Sequence, residues 1–210
     1  GTGTTHRTAC NECPIGAACD GTSVVVECAA GYYASAGSSE CTPCGSDDKY
    51  LSASASSCNT CPSGSFTSGG DETRRSRCEP CPAGSRCDGT STVKACEAGT
   101  YSGAGSSSCT PCLAGTHLRA DQSGGDACGA DNLWSANQAA SCSVCTAGWF
   151  TSGGTNTTDR TACNECPIGS ACDGTSVVVE CAAGYYAAAG SSRCTPCGTD
   201  DRYSSAGAGS

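Results

Sequence analysis

The chain has 210 residues and a net charge of −9, with 23 Cys, 29 Gly, no Met, two Phe and two Trp. So few large apolar side chains cannot offset the conformational entropy of folding, and so acidic a chain lacks the basic face that nucleic-acid phosphates require. Because the cysteine content exceeds the level typical of disulfide scaffolds, we predict a small disulfide-rich fold in an oxidising, extracellular or cell-surface location.

Tandem repetition dominates the order of the residues. The segment that begins at Thr8, TACNECPIGAACDGTSVVVECAAGYYA, recurs 153 residues later with one change, Ala17 to Ser170. The spacing C-x2-C-x5-C-x8-C-x12-C-x2-C occurs three times, starting at Cys10, Cys78 and Cys163. Neighbouring units stabilise one another in such arrays. We therefore predict an elongated rod of three cysteine-rich modules, at residues 1–57, 58–127 with an irregular insert from 113, and 128–210; both ends fall in mid-repeat, so we expect a section of a longer array.

Each copy of the six-cysteine spacing predicts a turn followed by a strand. Asp-Gly dipeptides, which favour tight turns, follow the third cysteine of each copy at Asp20, Asp88 and Asp173. The β-branched residues after them, as in Ser23-Val24-Val25-Val26-Glu27, favour strands. No amphipathic pattern is long enough for a helix. We predict short β-hairpins and loops with almost no helix.

Aromatic residues follow a glycine by one or two positions in most loops. These rings would either stack on a ligand or cover the disulfides, and the scarcity of other large side chains favours the covering role. The segments are Gly31-Tyr32-Tyr33, Gly64-Ser65-Phe66, Gly99-Thr100-Tyr101, Gly148-Trp149-Phe150 and Gly184-Tyr185-Tyr186.

Cysteine spacing alone leaves the disulfide connectivity open. A crossed ladder, with Cys81–Cys96 and Cys87–Cys109, is one arrangement; we favour local loops, in which the two cysteines of a C-x2-C pair belong to different loops. C-x2-C pairs also occur in zinc sites, but the intervals here match no usual finger, and we predict neither metal nor cofactor. The favoured pairs are Cys13–Cys19, Cys28–Cys41, Cys44–Cys58, Cys61–Cys78, Cys81–Cys87, Cys96–Cys109, Cys145–Cys163, Cys166–Cys172 and Cys181–Cys194.

The number of cysteines in one period is odd. From Cys10 to the residue before Cys163 the sequence holds 17 Cys. Local pairing joins Cys112 to Cys128 or Cys128 to Cys142, but not both. Cys112, Cys128 and Cys142 are therefore the candidates for an unpaired cysteine or for an interchain disulfide.

Few other residues suggest a site. Asn156-Thr157-Thr158 is an acceptor sequence for N-glycosylation, so we expect a covalently attached glycan. Carboxylates could bind calcium at the acidic pairs Asp47-Asp48 and Asp200-Asp201 and at Asp131. Because these residues lack the ligand spacing of a calcium site, we interpret them as solvated acidic loops. The histidines, His6 and His117, lie near no nucleophile with an orienting acid, so we expect no enzyme activity.

The units CEAGTYSGAGSSSCTPC and CAAGYYASAGSSECTPC resemble the ephrin-receptor-like cysteine-rich repeat of extracellular proteins. They are also similar to the tandem repeats of ciliate immobilization antigens, which are surface-coat proteins, and more loosely to tumour-necrosis-factor-receptor modules. The resemblance covers nearly the whole chain as a cysteine framework. It implies an extracellular, elongated protein with a structural or binding role and no catalytic residues.

Two functions follow as expectations. The first is a structural repeat protein that self-associates into a cell-surface coat or filament, since equivalent surfaces recur along the chain. It would not insert in a membrane, because the longest aliphatic run is Val24–Val26. The alternative is a receptor-like or adhesive module, with Leu113–Ala127 and Cys128 giving specificity and with Trp134 and Trp149 as exposed anchors.

Overall fold

The computed structural model describes residues 10–198 and 204–209. Within these residues the chain forms no helix, and its short strands pair as two-stranded antiparallel hairpins. The strands are two to four residues long, because glycine-containing turns and cysteine-closed loops interrupt each run of extended residues. The predicted disulfide-rich fold of short β-hairpins is confirmed.

By its internal contacts the chain divides into two compact units. The three predicted modules are a division by sequence repeat and stay a prediction. The first unit covers Gly1–Ala95 and Gly103–Cys109. Its hairpins are β1 (Ala17–Cys19) with β2 (Val25–Glu27), β3 (Tyr32–Tyr33) with β4 (Thr42–Pro43), β5 (Lys49–Tyr50) with β6 (Asn59–Thr60), β7 (Ser65–Ser68) with β8 (Arg77–Pro80), and β9 (Ser85–Cys87) with β10 (Val93–Ala95).

The second unit covers Cys96–Ser102 and Thr110–Ser210. The segment predicted as an irregular insert from residue 113 contains a hairpin, β13 (Thr116–Leu118) with β14 (Gly125–Ala127), whose strands pair in antiparallel register like the others. The hairpins of this unit are β11 (Thr100–Tyr101) with β12 (Thr110–Pro111), β13 (Thr116–Leu118) with β14 (Gly125–Ala127), β15 (Leu133–Trp134) with β16 (Ser143–Val144), β17 (Trp149–Ser152) with β18 (Ala162–Glu165), β19 (Ser170–Cys172) with β20 (Val178–Glu180), and β21 (Tyr185–Tyr186) with β22 (Thr195–Pro196).

Backbone hydrogen bonds connect successive hairpins inside each unit. In the first unit Gly31 N–H donates to the carbonyl of Leu51 at 2.8 Å, and Leu51 N–H donates to Arg75 at 3.1 Å. In the second unit Gly115 N–H donates to Ser135 at 2.9 Å, and Ser135 N–H donates to Arg160 at 3.1 Å. Each hairpin therefore satisfies part of its neighbour's backbone, as the units of a repeat array do.

Cystines and small side chains form the core. In five hairpins, the residue three positions after the glycine that precedes the first strand is almost fully buried. The aromatic rings do not form this core: Trp149 is 43% and Tyr185 44% exposed. The small buried residues at this position are Ala34, Thr67, Ser102, Thr151 and Ala187.

Candidate cross-linking and surface sites

The structure joins the cysteines in local loops. The crossed alternative is wrong, because Cys81 bonds to Cys87, whose Cα lies 5.7 Å away. Cys96 and Cys109 are disulfide-bonded as well. The pairs that coincide with the predicted loops are Cys13–Cys19, Cys28–Cys41, Cys44–Cys58, Cys61–Cys78, Cys81–Cys87, Cys145–Cys163, Cys166–Cys172 and Cys181–Cys194.

One more disulfide corrects the assignment of unpaired cysteines. Cys128 and Cys142, taken from the sequence as candidates for an unpaired or interchain cysteine, bond to each other across the hairpin β15–β16. Their separation of 14 residues equals that of Cys44 and Cys58, so the two disulfides close local loops of the same size. Of the three candidates, only Cys112 is free.

The free cysteines differ in their surroundings. Cys10 is exposed, Cys197 is half-buried, and Cys112 is buried with its sulfur 3.0 Å from the hydroxyl of Thr116. Cys10 corresponds to Cys163 in the repeat and Cys197 to Cys44, and the positions equivalent to their partners fall outside residues 1–210. Because a buried thiol cannot reach a second chain without local opening, the folded state argues against an interchain bond through Cys112.

Two carboxylates connect separate hairpins within their own units. In the first unit Asp47 accepts hydrogen bonds from Arg75 Nε at 2.6 Å and from the N–H and hydroxyl of Ser91, both at 2.8 Å. Its backbone carbonyl also accepts a bond from the buried hydroxyl of Thr67 at 2.5 Å. We call this arrangement the aspartate clamp, because one residue holds three chain segments together.

The second unit contains the same clamp at Asp131. Its carboxylate accepts from Arg160 Nε at 2.8 Å and from the N–H and hydroxyl of Ser176 at 2.9 and 2.7 Å. Its carbonyl accepts from the hydroxyl of Thr151 at 2.5 Å. Burial raises the pKa of Asp131, but the bonds from Ser176 and Arg160 outweigh it, so the pKa is below its ordinary value. The carboxylate is therefore charged at neutral pH while it accepts these hydrogen bonds.

These clamps correct the prediction of solvated acidic loops. The carboxylates of Asp47 and Asp131 accept hydrogen bonds from arginine and serine donors, and the described residues contain no group of carboxylates, cysteines and histidines able to hold a metal ion. Asp200, Asp201 and His6 lie outside the described residues. The two arginines of the clamps occupy equivalent positions in the sequence, because Arg75 and Arg160 each stand three residues before a loop-closing cysteine.

An apolar surface recurs at the period of the sequence. Val24–Val26 and Val177–Val179 are between 40 and 55% exposed. The equivalent hairpin of the middle copy differs, because Lys94 stands opposite Arg86 where Val26 stands opposite Ala18. The valine-rich hairpin is therefore present once per 153-residue period, and a dibasic hairpin lies between its two copies in the chain.

The predicted glycosylation site lies in an exposed turn. Asn156 Oδ1 accepts a hydrogen bond from Thr158 N–H at 2.7 Å and another from the Thr158 hydroxyl. Asp71 forms the same turn with Thr73 in the corresponding loop of the first unit. Asn156 is exposed, and its Nδ2, the atom that would carry a glycan, donates a hydrogen bond to the Thr155 hydroxyl at 3.4 Å.

No protein-family model and no curated protein sequence matches this chain. The resemblance to ephrin-receptor-like and immobilization-antigen repeats therefore stays a prediction. In the part of the chain that the structure describes, no helix has the length and apolar character needed to cross a bilayer. The many disulfides indicate an oxidising environment.

Proposed function

We propose that this chain is an extracellular structural repeat protein, a building block that self-associates into a cell-surface coat or filament. The observation that carries the proposal is the recurrence of one exposed valine-rich hairpin, Val24–Val26 and Val177–Val179, at the period of the sequence. Exposed apolar patches are typical of interaction surfaces. A surface that recurs along a chain lets one type of contact propagate through an assembly.

The covalent structure supports the same role. A coat is exposed to proteases and changing solvent, and local disulfides constrain the unfolded state of every short loop that they close. The aspartate clamps at Asp47 and Asp131 repeat one packing solution in both units. Recurrence of the same side-chain contacts in both units suits a protein whose function depends on its repeated length and not on one unique pocket.

Sedimentation velocity tests the proposal. We expect the oxidised chain to form larger species as its concentration rises, and the variant with Val24, Val26, Val177 and Val179 all changed to Thr to remain monomeric. Thr keeps the strand preference while reducing the apolar area. The matched control changes Leu113 and Val144 to Thr, since both are exposed outside these hairpins. A wild-type chain that stays monomeric at all concentrations would contradict the proposal.

The adhesive alternative has one specific observation in its favour. Trp149 is 43% exposed on strand β17, and exposed tryptophans often act as anchors in interfaces. If the chain is an adhesive module, Trp149→Ala will weaken its attachment to a target surface while its sedimentation stays unchanged. Assembly lost on the valine substitutions and retained in Trp149→Ala favours the structural role.

A further inference from the structure

We propose that Gly125 occupies the position of a missing half-cystine whose partner is Cys112, and that the hairpin between Cys112 and Cys128 is a conformational gate over a concealed thiol. This inference does not depend on the proposed self-association. It starts from the odd number of cysteines in one period and from the free, buried state of Cys112.

The strand register identifies Gly125. In the hairpin β13–β14 Leu118 pairs with Gly125. At the corresponding place in β7–β8 Thr67 pairs with Cys78, and in β17–β18 Thr151 pairs with Cys163. Both of these cysteines close the disulfide of their hairpin and stand three residues before the next cysteine, as Gly125 stands three residues before Cys128.

The distance agrees with the register. A Cβ atom built on Gly125 would lie 3.0 Å from the sulfur of Cys112. In a disulfide the standard bond lengths and angles place each Cβ about 3 Å from the partner sulfur. Gly125 is also not among the glycines with positive φ, so its backbone accepts a side chain. The geometry for a cross-link is present, and only the second sulfur is missing.

In the hairpin β13–β14, weaker interactions replace the disulfide that is missing between positions 112 and 125. Thr116 contacts the free thiol, and Arg119 forms an ion pair with Asp126 at 2.8 Å across the strands. Both partners of that pair are about half exposed, and exposed ion pairs contribute little to stability. Leu118 is only half-buried, whereas Thr67 and Thr151 at the equivalent position are 1% exposed. This hairpin therefore opens more readily than its neighbours, and its opening exposes Cys112.

Disulfide engineering tests the assignment of Gly125. In a Cys10→Ser/Cys197→Ser background, Gly125→Cys is refolded with oxidised glutathione, which accepts two electrons and two protons from the two thiols and yields two reduced glutathiones. After alkylation in concentrated urea without reductant, we expect a linked peptide pair containing residues 112 and 125 and no modification by iodoacetamide. Under the same conditions Gly125→Ser, which adds a side chain of similar size without sulfur, should be fully alkylated at Cys112. Two free thiols in a folded Gly125→Cys protein would overturn the assignment.

Alkylation of the parent background tests the gate without any change in the hairpin. We expect iodoacetamide to modify Cys112 about tenfold faster in urea concentrations below the main unfolding transition, because local opening precedes global unfolding. Asp126→Asn, which removes the ion pair, should accelerate the reaction further. If the alkylation rate rises only together with global unfolding, followed by tryptophan fluorescence, the hairpin is not a separate gate.

Discussion

The carboxylate of Asp131 satisfies a guanidinium, a backbone N–H and a hydroxyl that come from different hairpins of one unit. In Asp131→Asn the amide keeps one acceptor oxygen, but it loses the charge and places an N–H₂ group against a donor. Loss of a partly buried, charge-assisted hydrogen bond typically costs about 1.5–3 kcal/mol. We expect the free energy of unfolding in urea, measured without reductant, to fall by this amount.

Glu97→Gln is the matched control for this substitution. Glu97 is an exposed acidic residue of the same unit, so the change removes the same charge without breaking a clamp. Its free energy of unfolding should stay within about 0.5 kcal/mol of wild type, as is usual for surface substitutions. Equal losses in the two variants would mean that net charge, and not the clamp, is responsible.

The same carboxylates predict how stability responds to acid. The pKa values of Asp47 and Asp131 are lowered in the folded state, so their contribution is fully present above the unfolded value of about 3.9. It is lost as the pH falls below that value through the folded pKa, because the unfolded state then binds more protons. In urea titrations from pH 7 to pH 2, an Asp47→Asn/Asp131→Asn double variant should lose less stability than wild type. An identical pH dependence would contradict this cause.

At the level of single elements, glycine positions distinguish backbone strain from close packing between hairpins. Gly148 has a φ of 90°, and a Cβ there would collide with the carbonyl oxygen of Gly190 in the hairpin β21–β22. Gly184 has a φ of 88° with nothing within 4 Å, and Gly103 is open without a positive φ. Because alanine disfavours positive φ by about 1–2 kcal/mol, we expect the loss of stability to rank Gly148→Ala above Gly184→Ala above Gly103→Ala.

Urea titrations of the three alanine variants, with the disulfides intact, check this order. If Gly148→Ala and Gly184→Ala lose the same stability, the approach of the two hairpins contributes nothing beyond the backbone conformation. Hydrogen exchange adds a local measure. Protection should fall on both sides of the 148/190 contact in Gly148→Ala, and only around residue 184 in Gly184→Ala.

Disulfide loops between cysteines that are close in the sequence could be predicted, whereas side-chain contacts between residues far apart in the sequence could not. Cys81 and Cys87 stand six positions apart in the sequence, so the spacing nearly dictates that they close a loop. The clamp at Asp47 joins residues 28 and 44 positions away, and no local pattern reveals which acid meets which arginine. The choice between Cys112–Cys128 and Cys128–Cys142 stays open in the sequence because counting cysteines gives only parity, whereas strand register decides the partner.

At the scale of the whole molecule, the disulfides replace a hydrophobic core. The buried side chains are mostly cysteines and small residues such as Ala34 and Ala187, whose burial contributes little apolar area. Closing one loop of about 15 residues destabilises the unfolded chain by about 3 kcal/mol. The whole free energy of unfolding of a domain is typically only about 5–15 kcal/mol. Loss of several loops should therefore exceed the entire stability of either unit.

Reduction followed by alkylation should unfold the chain at neutral pH without denaturant. We expect amide hydrogen exchange to become fast throughout residues 10–198, and the exposed acidic residues to keep the unfolded chain expanded, since the net charge is −9. Alkylation of the oxidised protein, which modifies only accessible free thiols, is the control and should leave exchange protected. If the fully reduced chain retains protected amides in its hairpins, small-residue packing and the aspartate clamps are sufficient by themselves, and the central role of the disulfides is wrong.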